Sequence, residues 1–251
     1  VGEGVYFLAF FDPNDMCFSG ANQVTVNTFT QPSAGSSGTT AFCAGETAPQ
    51  NLFDIITGEN PGGTWSETSS VSSGVAIGSG NAVDFSGVAP GVYEFTYTQA
   101  AVGTCPPTSS TATVTINSNP NANAGTNETI CAGESVDLSA SATGGGGGYS
   151  FAWSNGLGNG PNKIVNPPST TTYTVTVTDV NGCTDTDQVT ITVNPVPNAN
   201  AGSNQTICEG QSADLSASAT GGGGGYSFTW SNGLGDGANQ TVSPITNTTY
   251  T

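Results

Sequence analysis

Residues 170–194 read TTTYTVTVTDVNGCTDTDQVTITVN. Tyr173, Val175 and Val177 alternate with Thr172, Thr174, Thr176 and Thr178, and Val189, Ile191 and Val193 alternate with Thr190 and Thr192. Period-two alternation in β-branched and aromatic residues is the pattern of a half-buried strand. The VNG of 180–182 supplies a turn, so the stretch predicts a β-hairpin. No window of the chain carries a helical period, and the reading is all-β.

Outward from the hairpin the chain repeats itself. TGGGGGYSFAWSNGLG at 143–158 returns as TGGGGGYSFTWSNGLG at 220–235, and Cys131, Trp153 and Tyr173 recur 77 residues on as Cys208, Trp230 and Tyr250. A fixed period over a long stretch indicates a tandem array. Each unit opens on PNANAG (120–125, 197–202) and continues with TIC, then ESVDLSAS (134–141) or QSADLSAS (211–218). The glycine run follows, read as a permissive crossing loop, then the Trp strand, a weaker strand near Lys163–Asn166 and the terminal hairpin. Roughly seven short strands in such a span fit a small antiparallel sandwich. Residues 27–117 are a divergent relative, with Trp65 after GGT and a hairpin in VYEFTYT (92–98) and TATVTIN (111–117). The expected organisation is a terminal hairpin of a truncated domain at 1–26, a domain at 27–118, a repeat at 119–195, and a repeat at 196–251 that stops before its last strands.

Composition narrows the function. The 251 residues hold one Lys or Arg against eighteen Asp plus Glu, no His, and a formal charge of −17; Lys163 is the sole cation. Nucleic acids and anionic membranes are bound through clustered Lys and Arg, which this chain lacks. The longest apolar run, VYFLAFF at 5–11, has the length of a strand and not of a membrane span. With 8% charged residues the surface is mostly neutral and polar.

Six cysteines complete the frame. Within each domain the spacing predicts one disulfide, Cys43–Cys105 and Cys131–Cys183, with the partners of Cys17 and Cys208 outside the chain. Disulfides imply an oxidising compartment. Metal thiolates are the rival reading, disfavoured by the absence of His and of any C-x-x-C pair.

GGYSFAWSNG followed by TYTVTVTDVNGCTDTD resembles the repeats of large Bacteroidota surface adhesins, including gliding-motility adhesins, which are similar to polycystic-kidney-disease (PKD) and immunoglobulin-like domains. PGGTWS and APGVYEFTYT in 27–117 resemble another Ig-like repeat of the same giant proteins. The chain departs from PKD domains proper in lacking an Asp-rich Phe-Gly-Asp turn after the Trp strand. The resemblance implies a tandem array of Ig-like/PKD-like β-sandwiches, exported by type 9 secretion and attached to the cell surface. Trp65, Trp153 and Trp230 fall at the third-strand position that packs in the core of such sandwiches; an exposed glycan-binding platform is the alternative.

No catalytic residue is expected. There is no His and no nucleophile motif, and the acids sit at repeating positions where a catalytic pair would be unique. Asp179, Asn181, Asp185 and Asp187 crowd the hairpin, as Asp12, Asn14 and Asp15 crowd its counterpart. They are weak candidates for Ca²⁺, set against ordinary turn chemistry. Asn127 and Asn204 begin glycosylation acceptor triplets of a kind frequent in any Asn/Thr-rich chain. The expected role is a structural segment of an extracellular adhesin or attachment filament, bearing force and projecting a tip toward a cell-surface or glycan ligand. Alternatives are a homo-oligomeric fibre or hook, self-associated through neutral Thr faces, and the spacer or glycan-binding modules of a secreted polysaccharide-degrading enzyme.

Overall fold

The computed structural model describes residues 4–14, 17–18, 20, 22–46 and 49–251. Asp15 and the side chain of Cys17 lie outside the described residues. The chain is all-β, relieved among the described residues by short 3₁₀ turns such as Leu52–Asp54. It divides into two compact units, one of residues 1–119 with 181–183, the other of 120–180 with 184–251.

In the first unit, Gly4–Leu8 pairs antiparallel with Asn22–Val26. A four-stranded sheet follows in the order Gly38–Cys43, Thr108–Asn117, Gly91–Gln99, Thr64–Glu67. Its first pair is parallel and the others antiparallel. The alternation in Gly91–Gln99 sends Tyr93, Phe95 and Tyr97 inward, where they meet Leu52, Val83, Phe85, Val114 and Ile116. Rings interlock: Phe53 lies edge-on to Tyr97 with centroids 5.0 Å apart, and Trp65 is 5.1 Å from Tyr97. The Tyr93 hydroxyl donates back to Ala89 O at 2.8 Å, the tyrosine corner of Ig-like sandwiches.

The second unit contains a five-stranded sheet in the order Glu128–Cys131, Thr184–Asn194, Thr171–Thr178, Ser150–Trp153, Gly158–Asn159. Val136–Ser139 pairs with Asn162–Val165 to supply the opposing layer. Trp153, Tyr173, Val175, Val177, Val189 and Ile191 fill the space between, with Val136, Leu138 and Val165. The Thr residues of the hairpin face outward, and the Thr172 and Thr190 hydroxyls meet at 2.9 Å. Residues 196–251 reproduce this register 77 positions on: Val136↔Val165 becomes Ala213↔Val242, and Trp153↔Gly158 becomes Trp230↔Gly235.

Three stretches, read as a unit opening and short joint (PNANAG), a single strand (134–141) and a permissive loop (the glycine run), take more definite forms. PNANAG is not only a joint: Pro120–Asn123 pairs antiparallel with Ser141–Gly144, and Pro197–Asn200 with Ser218–Gly221. The stretch 134–141 breaks after Ser139, where Ala140 N donates to Pro161 O at 2.9 Å, and the next four residues join a different strand. The glycine run is likewise a defined turn. Gly144, Gly145, Gly147 and Gly148 take positive φ, and Gly146 N donates to Asp179 Oδ2 at 2.7 Å. Val180 N donates to Gly147 O at 3.0 Å.

These glycines are not equivalent. A Cβ on Gly145 would lie 2.7 Å from Asp179 Oδ2 and 3.0 Å from Pro120 N, whereas one on Gly147 would meet nothing within 4 Å. Both substitutions pay about 1–2 kcal/mol for a left-handed backbone, and Gly145→Ala adds a steric cost of about 1–3 kcal/mol. Urea midpoints should therefore fall clearly further for Gly145→Ala than for Gly147→Ala. Equal midpoints would show that the loop is not seated against the hairpin.

Candidate functional site

The residues that sequence reading singled out are placed mainly in the framework. Trp153 and Trp230 are 5% and 6% exposed, and each indole Nε1 donates to the carbonyl of a positive-φ glycine, Gly160 at 3.1 Å and Gly237 at 3.0 Å. An aromatic that large is buried for its area, and its one polar atom needs a partner. Trp65 is half-buried against Phe53 and Tyr97, with an Nε1 that is buried and unbonded. None of the three presents an open ring face of the kind a glycan platform requires. In 119–195, Leu138, Trp153 and Val165 pack in the core with Val175, Val177, Val189 and Ile191.

The acidic residues of the hairpin hold backbone. Asp185 Oδ2 accepts from Ala122 N and Asp187 Oδ2 from Ala124 N, both at 2.8 Å. Asp179, 6% exposed, accepts from the glycine turn. Asp12 Oδ1 accepts from Asn14 N at 2.9 Å, an Asx turn. Among the described residues no three Cys, Asp or Glu side chains gather where one metal ion could be held. Asp185 and Asp187 thus fasten residues 122–124 to the hairpin by charge-assisted bonds. Asp185→Ala and Asp187→Ala should each cost about 1–2 kcal/mol, and the Ala122 or Ala124 amide should lose hydrogen-exchange protection. Unchanged protection at both amides would mean that the carboxylates hold nothing.

In the first unit Glu67 plays a comparable part. Burial pushes its carboxyl up, but bonds from Ser73 N and Oγ and from Ser72 Oγ outweigh this and leave it below the usual range. Asp84 is lowered by the amide of Ser86.

The cysteines overturn the expected pairing. Cys43 bonds Cys183, across 140 residues of sequence, while Cys105, Cys131 and Cys208 stand outside any disulfide. Neither Cys43–Cys105 nor Cys131–Cys183 forms, and the parallel strand pairs explain why. Cys131 stands opposite Asn194, at the far end of the 11-residue strand that begins immediately after Cys183. At about 3.3 Å per residue the two lie roughly 35 Å apart, whereas a disulfide needs Cα atoms within about 7 Å. Cys43 stands opposite Asn117, while Cys105 precedes the start of the same strand at Thr108. The cysteines of one sandwich therefore sit at opposite ends of it. The turn 181–183 belongs to the first unit, through which its bond to Cys43 is made.

A local signal for this was present. Cys43-Ala-Gly-Glu46, Cys131-Ala-Gly-Glu134 and Cys208-Glu-Gly-Gln211 are one motif, which marks the three cysteines as equivalents of one another. The structure closes each as the same turn. The amide of the fourth residue donates to the cysteine carbonyl at 3.2, 3.0 and 3.0 Å, over a glycine with φ of 87°, 94° and 83°. Glycine at that position is what a type II turn demands.

No family model matches this chain, and no curated protein sequence matches it. Solved structures of tandem Ig domains do. The I67–I69 fragment of the titin I-band is 10% identical, with a TM-score of 0.42 over 83% of this chain and 82% of that one. The N-terminal eight Ig domains of Down Syndrome Cell Adhesion Molecule are 15% identical, with a TM-score of 0.41 over 98% of this chain and 42% of that one. Sidekick-1 immunoglobulin domains 1–4 are 15% identical, with a TM-score of 0.32 over 87% and 73%. At these identities the likeness is one of fold alone. No helix among the described residues is long and apolar enough to cross a membrane.

Proposed function

We propose that this chain is a force-bearing structural segment of an extracellular, surface-attached adhesin or attachment filament, of the gliding-motility adhesin type exported by type 9 secretion in Bacteroidota. The observation that carries the reading is the strand order. In each of the two complete sheets, the early strand (Gly38–Cys43, Glu128–Cys131) lies parallel to the last one (Thr108–Asn117, Thr184–Asn194). Tension applied to the two ends of such a sandwich pulls these neighbours in opposite directions along their length. All the ladder bonds are then loaded together, in shear, and none can open first as in a zipper. The distinctive side chains support the reading, because Trp153 and Trp230 make the same framework bond in successive copies. The segment works without catalysis, as a spacer between the cell and a distal glycan or surface ligand. Its neutral Thr faces are where further copies of the chain would meet it.

Two measurements test this. An antibody raised to the segment should label intact cells, and deleting the segment from the gene should reduce attachment under flow. Labelling that requires lysis would end the extracellular reading. Single-molecule stretching should give a higher rupture force when the 119–195 sandwich is pulled end to end than when it is pulled across Thr170 and Asn194, which unzips the hairpin. Equal forces would remove the mechanical role.

A further inference from the structure

Trp-Ser-Asn-Gly occurs at 153–156 and again at 230–233. Each copy closes as a tight turn. Leu157 N donates to Ser154 O at 3.2 Å and Leu234 N to Ser231 O at 3.4 Å, while Asn155, Gly156, Asn232 and Gly233 have φ of 55°, 75°, 58° and 73°. Positive φ at both central residues is the type I′ arrangement, for which asparagine followed by glycine is the preferred pair. Three bonds then tie each turn to a neighbouring segment. Ser154 N donates to Thr174 O, Thr174 N to Ser154 Oγ and Asn155 Nδ2 to Thr172 O, at 2.9, 2.9 and 3.1 Å. The second copy repeats the set: Ser231 N to Thr251 O, Thr251 N to Ser231 Oγ and Asn232 Nδ2 to Thr249 O, at 2.8, 2.9 and 3.0 Å.

The same pair of residues carries a reaction of its own. Glycine has no side chain to shield its nitrogen, which can attack the asparagine side-chain carbonyl and displace its amide. Asn155, Gly156, Asn232 and Gly233 are exposed, and a Cβ on either glycine would meet nothing within 4 Å, so burial does not keep water out. Backbone geometry is what opposes the attack. In the left-handed region ψ is about +30 to +60°, which places the Gly156 nitrogen across the Cα–C bond from Asn155 Cβ. Ring closure needs the two on the same side. The bond from Asn155 Nδ2 to Thr172 O holds the side chain in place as well.

We propose that Asn155 and Asn232 are fold-gated deamidation sites, kept as amides while the repeat is closed and converted once it opens. In the opened chain the Gly156 amide gives its proton to solvent base and its nitrogen attacks Asn155 Cγ. The Cγ–Nδ2 bond breaks and the nitrogen leaves as ammonia, taking a proton from solvent. One water molecule then opens the five-membered imide, at either carbonyl, to aspartate or isoaspartate. Conversion works against reclosing. A carboxylate stands against Thr172 O where an N–H had donated, and isoaspartate adds a methylene to the backbone of a two-residue turn. Each site therefore keeps an irreversible record that its repeat has been open, whatever opened it.

The test follows both asparagines in the 251-residue chain. The protein is held in mildly alkaline buffer with and without urea, digested with chymotrypsin, and mapped by mass for the change from amide to acid. Conversion at Asn155 and Asn232 should be slower without urea by about 100-fold, the factor that three net hydrogen bonds supply. Ser154→Ala removes one of the three and should speed conversion at Asn155 in the folded chain about fivefold, leaving Asn232 unchanged. Asn155→Asp, which installs one of the two products, should lower the urea midpoint of the 119–195 repeat. Equal rates with and without urea overturn the gating, as does a Ser154→Ala chain that converts Asn155 no faster than the parent. An Asn155→Asp midpoint equal to the parent's overturns the effect on reclosing.

Discussion

Trp153→Ala is expected to unfold its repeat or bring it to the edge of unfolding. The indole is 5% exposed within a cluster that includes Tyr173, Val175 and Val177, and its Nε1 satisfies Gly160 O at 3.1 Å. Truncating a buried Trp costs about 3–5 kcal/mol. A repeat of 77 residues commands roughly 4–12 kcal/mol in all, so the loss takes a large share of it. Trp153→Phe refills most of the volume and forfeits chiefly the bond to Gly160, at about 1–2 kcal/mol. Urea denaturation followed by the far-ultraviolet β signal separates the cases: a large drop in midpoint for Ala and a modest one for Phe. An Ala variant within about 1 kcal/mol of the parent would mean the ring is not core, a loss too small for any buried Trp.

Reducing the Cys43–Cys183 bond, or removing it with Cys43→Ser, should lower stability by up to about 5 kcal/mol. This follows from a loop of 140 residues and the logarithmic dependence of closure entropy on loop length. The effect lies in the unfolded chain, which the bond keeps compact, and so it should appear in two observables. The denaturation midpoint should fall, and the steepness of the transition should rise as the unfolded chain exposes more surface. Cys183 is fully buried and Cys43 partly exposed, so Cys43→Ser is the cleaner substitution. A midpoint insensitive to reductant would show that the bond is not formed in solution.

Much of the fold was legible because its signals are local. The alternation in 170–194 names both strands of the hairpin, the outward Thr and the inward Tyr and Val, with no reference to the rest of the chain. The recurrence of Trp153 at Trp230 marks an equivalent core position, and the structure gives both rings the same burial and the same partner type. The acidic residues were less legible. An Asp beside a turn has the same sequence signature whether it caps the turn, binds a cation or reaches another strand. That Asp185 and Asp187 reach Ala122 and Ala124, 63 residues away, depends on which strand passes beside the hairpin.

The sequence by itself determined the all-β class, the 77-residue period, the hairpin and the equivalence of Trp153 with Trp230, since each rests on spacing along one short segment or on exact recurrence. The tertiary structure alone decided the cysteine pairing, the strand formed by Pro120–Asn123 and the seating of the glycine turn. Each of these is a contact between residues distant in sequence, and its existence turns on strand direction. A parallel pairing of Glu128–Cys131 with the last strand puts Cys131 at the opposite end of the sandwich from Cys183, whereas an antiparallel pair would have brought them together. Spacing along the chain is the same in both cases, so only the direction of the strands could tell them apart.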